Sequence, residues 1–278
     1  MTRTITVAHS PDLDDVFMFR ALTERLVETP GRRYELIADD IETLNRETLA
    51  GVYDVSAISF GAYPLVRDTY DILAHGSSIG LGYGPVVVAR ERLLPAALGG
   101  RRVAIPGRLT TAYLAARLAL PEFEAVEMPF KTIGPAVRGG EVEAGILIHE
   151  GQLTWRAAGL EKILDLGEWW RGETGQALAL GANAIRRSLG PDLSRLIAGD
   201  IRKSIEHGLE HRSEALAWSL ARTTGLDVPG GERYLDMYVN AETTVLSEGV
   251  REALRELYRR AGRRGLLAGA CDVRFVDA

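Results

Sequence analysis

The chain has 278 residues, 46% hydrophobic and 26% charged, which is ordinary globular usage and long enough for two domains of roughly 100 to 180 residues. Its 33 basic and 38 acidic side chains are interspersed and give a net charge of -5, which argues against nucleic acid as a partner. A single cysteine, Cys271, excludes an internal disulfide and a cysteine-built zinc site, and no apolar run approaches the ~20 residues of a membrane-spanning helix.

Residues 4–7 form a β-branched run that predicts a strand, followed by the loop His9-Ser10-Pro11-Asp12 and an apolar-periodic helix through Leu26. Ser10 or Asp12 can cap that helix, and Asp14 and Asp15 suit its positive end. A strand over 34–38, a helix after Asp40, a strand over 55–58 and a helix over 62–67 follow, with Ser59 at the last handover. Strand–helix alternation at this spacing implies crossover units and mainly parallel pairing. The plan repeats in a strand over 102–105, a helix from Thr110 to Leu120, a helix near 133–137 ending at Gly139-Gly140, and a strand over 144–148. Residues 50–59 and 139–149 share a glycine stop, an acidic residue, an apolar strand and a polar residue at its end. Two lobes on one plan are therefore expected. Extended runs at 83–89 and 178–185 read as crossovers between them. From Leu189 onward the pattern is helical, broken at Gly225 to Gly231 and stopped at Gly265 to Gly269. The division expected is 1–88 with 180–278 in a larger first lobe and 89–179 in a smaller second one.

Ligands of open α/β sheets gather beyond the carboxyl ends of the strands, which selects residues 10–15, Ser59, 107–111 and His149-Glu150. Thr110 and Thr111 begin a helix whose first N–H groups suit a carboxylate or phosphate, although Thr110 is equally readable as a plain helix cap. His149 ends a buried-looking strand and, as an imidazole, can accept a proton near neutral pH. Glu150 would face the opposite side if the strand ran on. His207 and His211 have metal-ligand spacing, but Glu206, Glu210 and Arg212 around them read as a solvated face, and no metal is expected. Asp12, Asp14 and Asp15 read more simply as capping residues than as a metal cluster. There is neither a Gly-x-Gly-x-x-Gly fingerprint nor a Gly-x-Ser-x-Gly elbow, so proton transfer is the most economical chemistry. The first residues, MTRTITVAHSPDLDDVF, carry no export signal, and a cytoplasmic protein is expected.

Several segments taken together are more specific than any of these. Ser10-Pro11 with Asp15 and Phe17, Asp40-Ile41-Glu42-Thr43-Leu44-Asn45, Ser59-Phe60-Gly61-Ala62-Tyr63 and Gly84-Pro85-Val86-Val87-Val88-Ala89 occur in order. They are followed by Pro106-Gly107-Arg108-Leu109-Thr110-Thr111-Ala112-Tyr113, Gly140-Glu141-Val142-Glu143-Ala144-Gly145 leading to Ile148-His149-Glu150, Asp165-Leu166-Gly167-Glu168-Trp169-Trp170 and Tyr238-Val239-Asn240-Ala241. Through most of its length the chain resembles the futalosine-route menaquinone-biosynthesis enzymes, specifically the 1,4-dihydroxy-6-naphthoate synthase family. The resemblance implies an α/β, two-lobed, type II periplasmic-binding-protein-like fold, with a mixed sheet in each lobe, a hinge and a central cleft. It implies a cofactor-independent carbon–carbon lyase that takes a small anionic substrate, cyclic dehypoxanthine futalosine, and releases 1,4-dihydroxy-6-naphthoate. On these positions His149 becomes the proton acceptor, while Ala57, Ile58, Ser59, Thr110 and Thr111 fall at the substrate. One position departs: where the family usually has Ser-Pro-Cys-Pro-Asn-Asp, this chain has Ser10-Pro11-Asp12-Leu13-Asp14-Asp15, so Asp14 replaces an amide and bears on substrate identity. The related chorismate dehydratase and a non-catalytic solute receptor of the same fold are the alternatives.

Overall fold

Short strands alternating with helices make up the computed structural model, which describes residues 2–268 and 271–278. Gly269, the far end of the expected helix stop, lies outside them. In chain order the elements are β1 (Arg3–His9), α1 (Leu13–Thr23), β2 (Arg32–Ala38), α2 (Ile41–Leu49), β3 (Val55–Ser59), α3 (Tyr63–Val66), β4 (Tyr70–Leu73), β5 (Ser78–Gly80) and β6 (Val86–Ala89). Next come β7 (Arg102–Ile105), α4 (Thr111–Ala119), β8 (Glu124–Glu127), α5 (Phe130–Gly139), β9 (Ala144–Leu147), α6 (Gly151–Thr154), β10 (Glu161–Asp165), α7 (Leu166–Thr174) and β11 (Leu178–Arg186). The chain closes with α8 (Pro191–Glu210), α9 (Arg212–Leu220), α10 (Val228–Tyr238), α11 (Ala241–Thr244), α12 (Glu248–Arg263) and β12 (Phe275–Val276).

Two units are distinguished. The first comprises Met1–Ile79, Gly181–Glu248 and Cys271–Ala278, the second Gly80–Leu180 and Gly249–Ala270. This differs from the sequence expectation at three places. The first boundary falls nine residues earlier than 88, counting from Ile79, the return to the first unit comes at Gly181 instead of 180, and residues 249–270, expected in the first lobe, belong to the second unit. The reason is visible on α12: Arg260 donates to the Glu173 carbonyl at 3.2 Å and lies 5.4 Å from the Trp170 ring, and Arg264 donates to the Arg117 carbonyl at 3.3 Å.

The sheet of the first unit has the order β12-β4-β11-β3-β1-β2, with β5 beside β11. β1 runs parallel to β2 and β3, whereas β11 is antiparallel to both β3 and β4, so the sheet is mixed instead of mainly parallel. Ile5, Val7, Val55, Leu73 and Ile185 of the sheet pack with Met18, Phe19 and Leu22 of α1 and Ile197, Ile201 and Ile205 of α8. The second unit has a five-stranded sheet, β10-β6-β9-β7-β8, parallel across β9-β7-β8 and antiparallel across β10-β6-β9. Its core joins Val86, Val88, Ala104 and Leu147 to Ile133, Ala136 and Val137 of α5. Gly145 permits that contact: a Cβ there would stand 2.4 Å from Ile133 Cγ2 and 2.8 Å from Val137 Cγ2. Among the described residues no helix is long and apolar enough to cross a membrane.

Candidate functional site

In the first unit the end of β1 is tied down by its own polar groups. His9 Nδ1 lies 2.7 Å from the Ser10 carbonyl, which can only accept, so that nitrogen carries the proton. Burial holds the His9 imidazole below its ordinary pKa. Asp12 occupies the cap position of α1 but makes no side-chain cap bond. Asp15 Oδ2 instead accepts from the Ser10 N–H at 2.7 Å, and Asp14 Oδ2 accepts from Ser78 Oγ at 2.9 Å. Asp15 thus braces the loop before α1 and Asp14 ties α1 to β5, and no group of three metal-ligating side chains occurs among the described residues.

At the end of β3 stands Ser59, held by Asn45 of α2, a residue outside those that the strand-end rule selects from the sequence. Asn45 Oδ1 accepts from the Ser59 N–H at 2.8 Å, and Asn45 Nδ2 donates to Ser59 Oγ at 3.1 Å. Asn45 is fully buried. Its signal was present in the pattern: Leu44, Asn45 and Thr48 share the buried side of α2, and an amide on such a face needs a partner. Ala57 and Ile58 lie opposite Asn183 and Ala182 of β11, with both side chains buried.

In the second unit Thr110 is the cap of α4. Its hydroxyl accepts from the Tyr113 N–H at 3.2 Å and donates to the Gly107 carbonyl at 2.8 Å. Thr111 Oγ1 donates to the Leu180 carbonyl at 2.6 Å. Both hydroxyl protons are thus committed to the protein. What this helix start presents to an anion is its positive dipole end.

His149 departs from the extended course that the sequence suggested. β9 stops at Leu147, and His149 has φ 54°, a left-handed conformation that is uncommon for a residue with a Cβ and concentrates at functional sites. Gly151 N–H donates to the Ile148 carbonyl and Gln152 N–H to the His149 carbonyl, both at 3.1 Å, turning the chain into α6. Glu150 is the cap residue of that short helix, so the alternation that would have set it opposite His149 does not apply. The half-buried imidazole meets Phe130 at a centroid distance of 4.9 Å and an interplanar angle of 72°. His207 and His211 stack on each other at 4.2 Å, and His211 Nδ1 lies 3.0 Å from the His207 carbonyl.

A family profile described as menaquinone biosynthesis matches residues 5–263. The 1,4-dihydroxy-6-naphtoate synthase of Thermus thermophilus is 40% identical over 272 residues, covering 98% of this chain and 99% of that one. A crystal structure of an Archaeoglobus fulgidus protein is similar with a TM-score of 0.91 and 45% identity, over 95% of this chain and 98% of that one. The periplasmic aliphatic sulphonate binding protein of Escherichia coli matches with a TM-score of 0.68 at 15% identity, over 98% and 96% of the two chains. The fold is accordingly two-lobed and periplasmic-binding-protein-like.

Proposed function

Since the chain belongs to the menaquinone-biosynthesis family, we propose that it is a carbon–carbon lyase converting cyclic dehypoxanthine futalosine to 1,4-dihydroxy-6-naphthoate, with His149 as proton acceptor. The observation that carries the chemistry is the conformation of His149. A left-handed turn at the end of a buried strand, against the usual steric preference, presents an imidazole that a continuing strand would aim elsewhere. An imidazole can take a proton at neutral pH without a metal or organic cofactor, and this reading calls for neither.

Thr110 and Thr111 contribute by fixing the start of α4, whose positive end faces a substrate carboxylate. Ser59, braced by Asn45, and the adjoining main chain of Ala57 and Ile58 hold further polar groups. Asp14 adds a carboxylate in the first turn of α1 and favours a substrate that brings a hydroxyl or another hydrogen-bond donor to that side.

Incubating the purified protein with the cyclic futalosine derivative tests the activity. The expected result is formation of the dihydroxynaphthoate, with a loss of more than about a hundredfold in kcat for His149→Ala. Absence of turnover by the wild type would dismiss the reaction, and normal turnover by His149→Ala would dismiss the base. The likeness to a sulphonate-binding protein favours one other reading, a non-catalytic receptor. It predicts tight binding of the same compound with no product.

A further inference from the structure

Resting on the assignment of His149 as proton acceptor, we infer that Phe130 is a positioning residue that sets the rotation of the imidazole. A base must aim one ring nitrogen at the proton it takes, within hydrogen-bond reach, and a histidine side chain has two rotatable bonds with which to miss. Phe130 restricts them. The two rings lie at 4.9 Å and 72°, within the range of edge-to-face aromatic pairs, so turning the imidazole about its χ2 bond sacrifices that arrangement.

Phe130 is itself well placed to act as a fixed reference. It is the first residue of α5, and α5 is seated on β9 by Ile133 and Val137 closing over Gly145. Chain reversal through Gly140, at φ 78°, runs α5 back along β9, so the start of the helix meets the end of the strand. Lys131 Nζ lies 5.6 Å from the Phe130 centroid, a cation over the electron-rich face that further favours one ring orientation. Phe130 is not among the residues of the α5–β9 core, which Ile133, Ala136 and Val137 supply, and it is only half-buried. A large aromatic at this place is therefore not explained by core filling.

Phe130→Leu keeps apolar volume and removes the ring, whereas Phe130→Tyr keeps the ring. In steady-state assays Phe130→Leu is expected to lower kcat by about tenfold with KM within about twofold of wild type, and Phe130→Tyr to restore most of the loss. Independently of turnover, proton NMR should show the His149 ring C–H resonances displaced by the Phe130 ring current in wild type and Phe130→Tyr, and relaxed toward ordinary histidine positions in Phe130→Leu. Unchanged His149 resonances and an unchanged kcat in Phe130→Leu would overturn the inference, as would equal losses in the Leu and Tyr variants. His149→Ala assayed alongside separates the two claims. If it turns over normally, the base assignment fails; if it is inactive while Phe130→Leu is normal, only the positioning role fails.

Discussion

Asn45 places both ends of its amide on Ser59, so the side chain acts as a spacer between α2 and the end of β3. Asn45→Leu retains approximate volume but leaves a buried N–H and a buried hydroxyl without this partner, at a cost of about 1–3 kcal/mol. A lowered melting temperature together with a raised KM is expected; an unchanged melting temperature would show that Ser59 finds another partner. Asp165 makes a different case, as the cap of α7. It accepts from Gly167 N–H at 2.8 Å and Glu168 N–H at 3.0 Å, yet burial outweighs those bonds and pushes its carboxyl up to about 6. Between its ordinary value near 3.8 and about 6 the folded chain holds a proton that the unfolded chain has released, so stability falls as pH rises through that window. The penalty is complete above it. Asp165→Asn keeps a capping oxygen without the charge and should unfold at higher temperature than wild type near pH 7.5, with the advantage gone near pH 3.5. An equal difference at both pH values would refute the assignment.

Elements were more legible than the exceptions within them. A β-branched run announced β1, short apolar runs announced β3, β7 and β9, and Gly51 and Gly140 both adopt positive φ where α2 and α5 end. Thr110 was readable as either cap or anchor; its hydroxyl proves to be the cap. Periodicity could not reveal that β9 would stop one residue short of Ile148 and turn at His149, because a left-handed histidine is imposed by tertiary surroundings and leaves no periodic mark. The break expected at 225–231 does occur but lies earlier, since α9 ends at Leu220 and α10 already begins at Val228, with Asp227 accepting from Gly230 N–H at 2.9 Å. Gly231 is inside that helix because a Cβ there would come within 2.9 Å of Leu216 Cδ1. Gly145 plays the same close-contact part between α5 and β9. Gly145→Ala should therefore cost about 1–3 kcal/mol by overpacking, measured by urea unfolding, and should lower kcat as well by shifting Phe130 against His149. Destabilisation with an unaltered kcat would mean that the strain is relieved away from the helix start.

Across the whole chain, the repeated helix–glycine–strand pattern is real in both units: α2 leads to β3 beside β1, and α5 leads to β9 beside β7. Ser59 ends β3, and His149 stands in the turn two residues beyond the end of the equivalent strand β9. What the pattern could not assign was α12, because an apolar stripe at helical spacing says that a face is buried without saying against which unit. The second unit is consequently discontinuous, and its stability should depend on residues far along the chain. Val250, Leu254, Leu257 and Tyr258 of α12 are buried, and burial of each such side chain contributes roughly 1.5–3 kcal/mol. A whole domain is stable by only about 5–15 kcal/mol, so loss of this stripe, with the Arg260 contacts to Trp170 and Glu173, removes most of that margin. A fragment spanning 80–180 should accordingly lack a cooperative thermal transition, and adding a peptide of residues 249–268 in trans should restore one in proportion to its concentration. Cooperative unfolding of 80–180 alone, at a temperature that the peptide does not alter, would show that α12 covers the unit without supporting it.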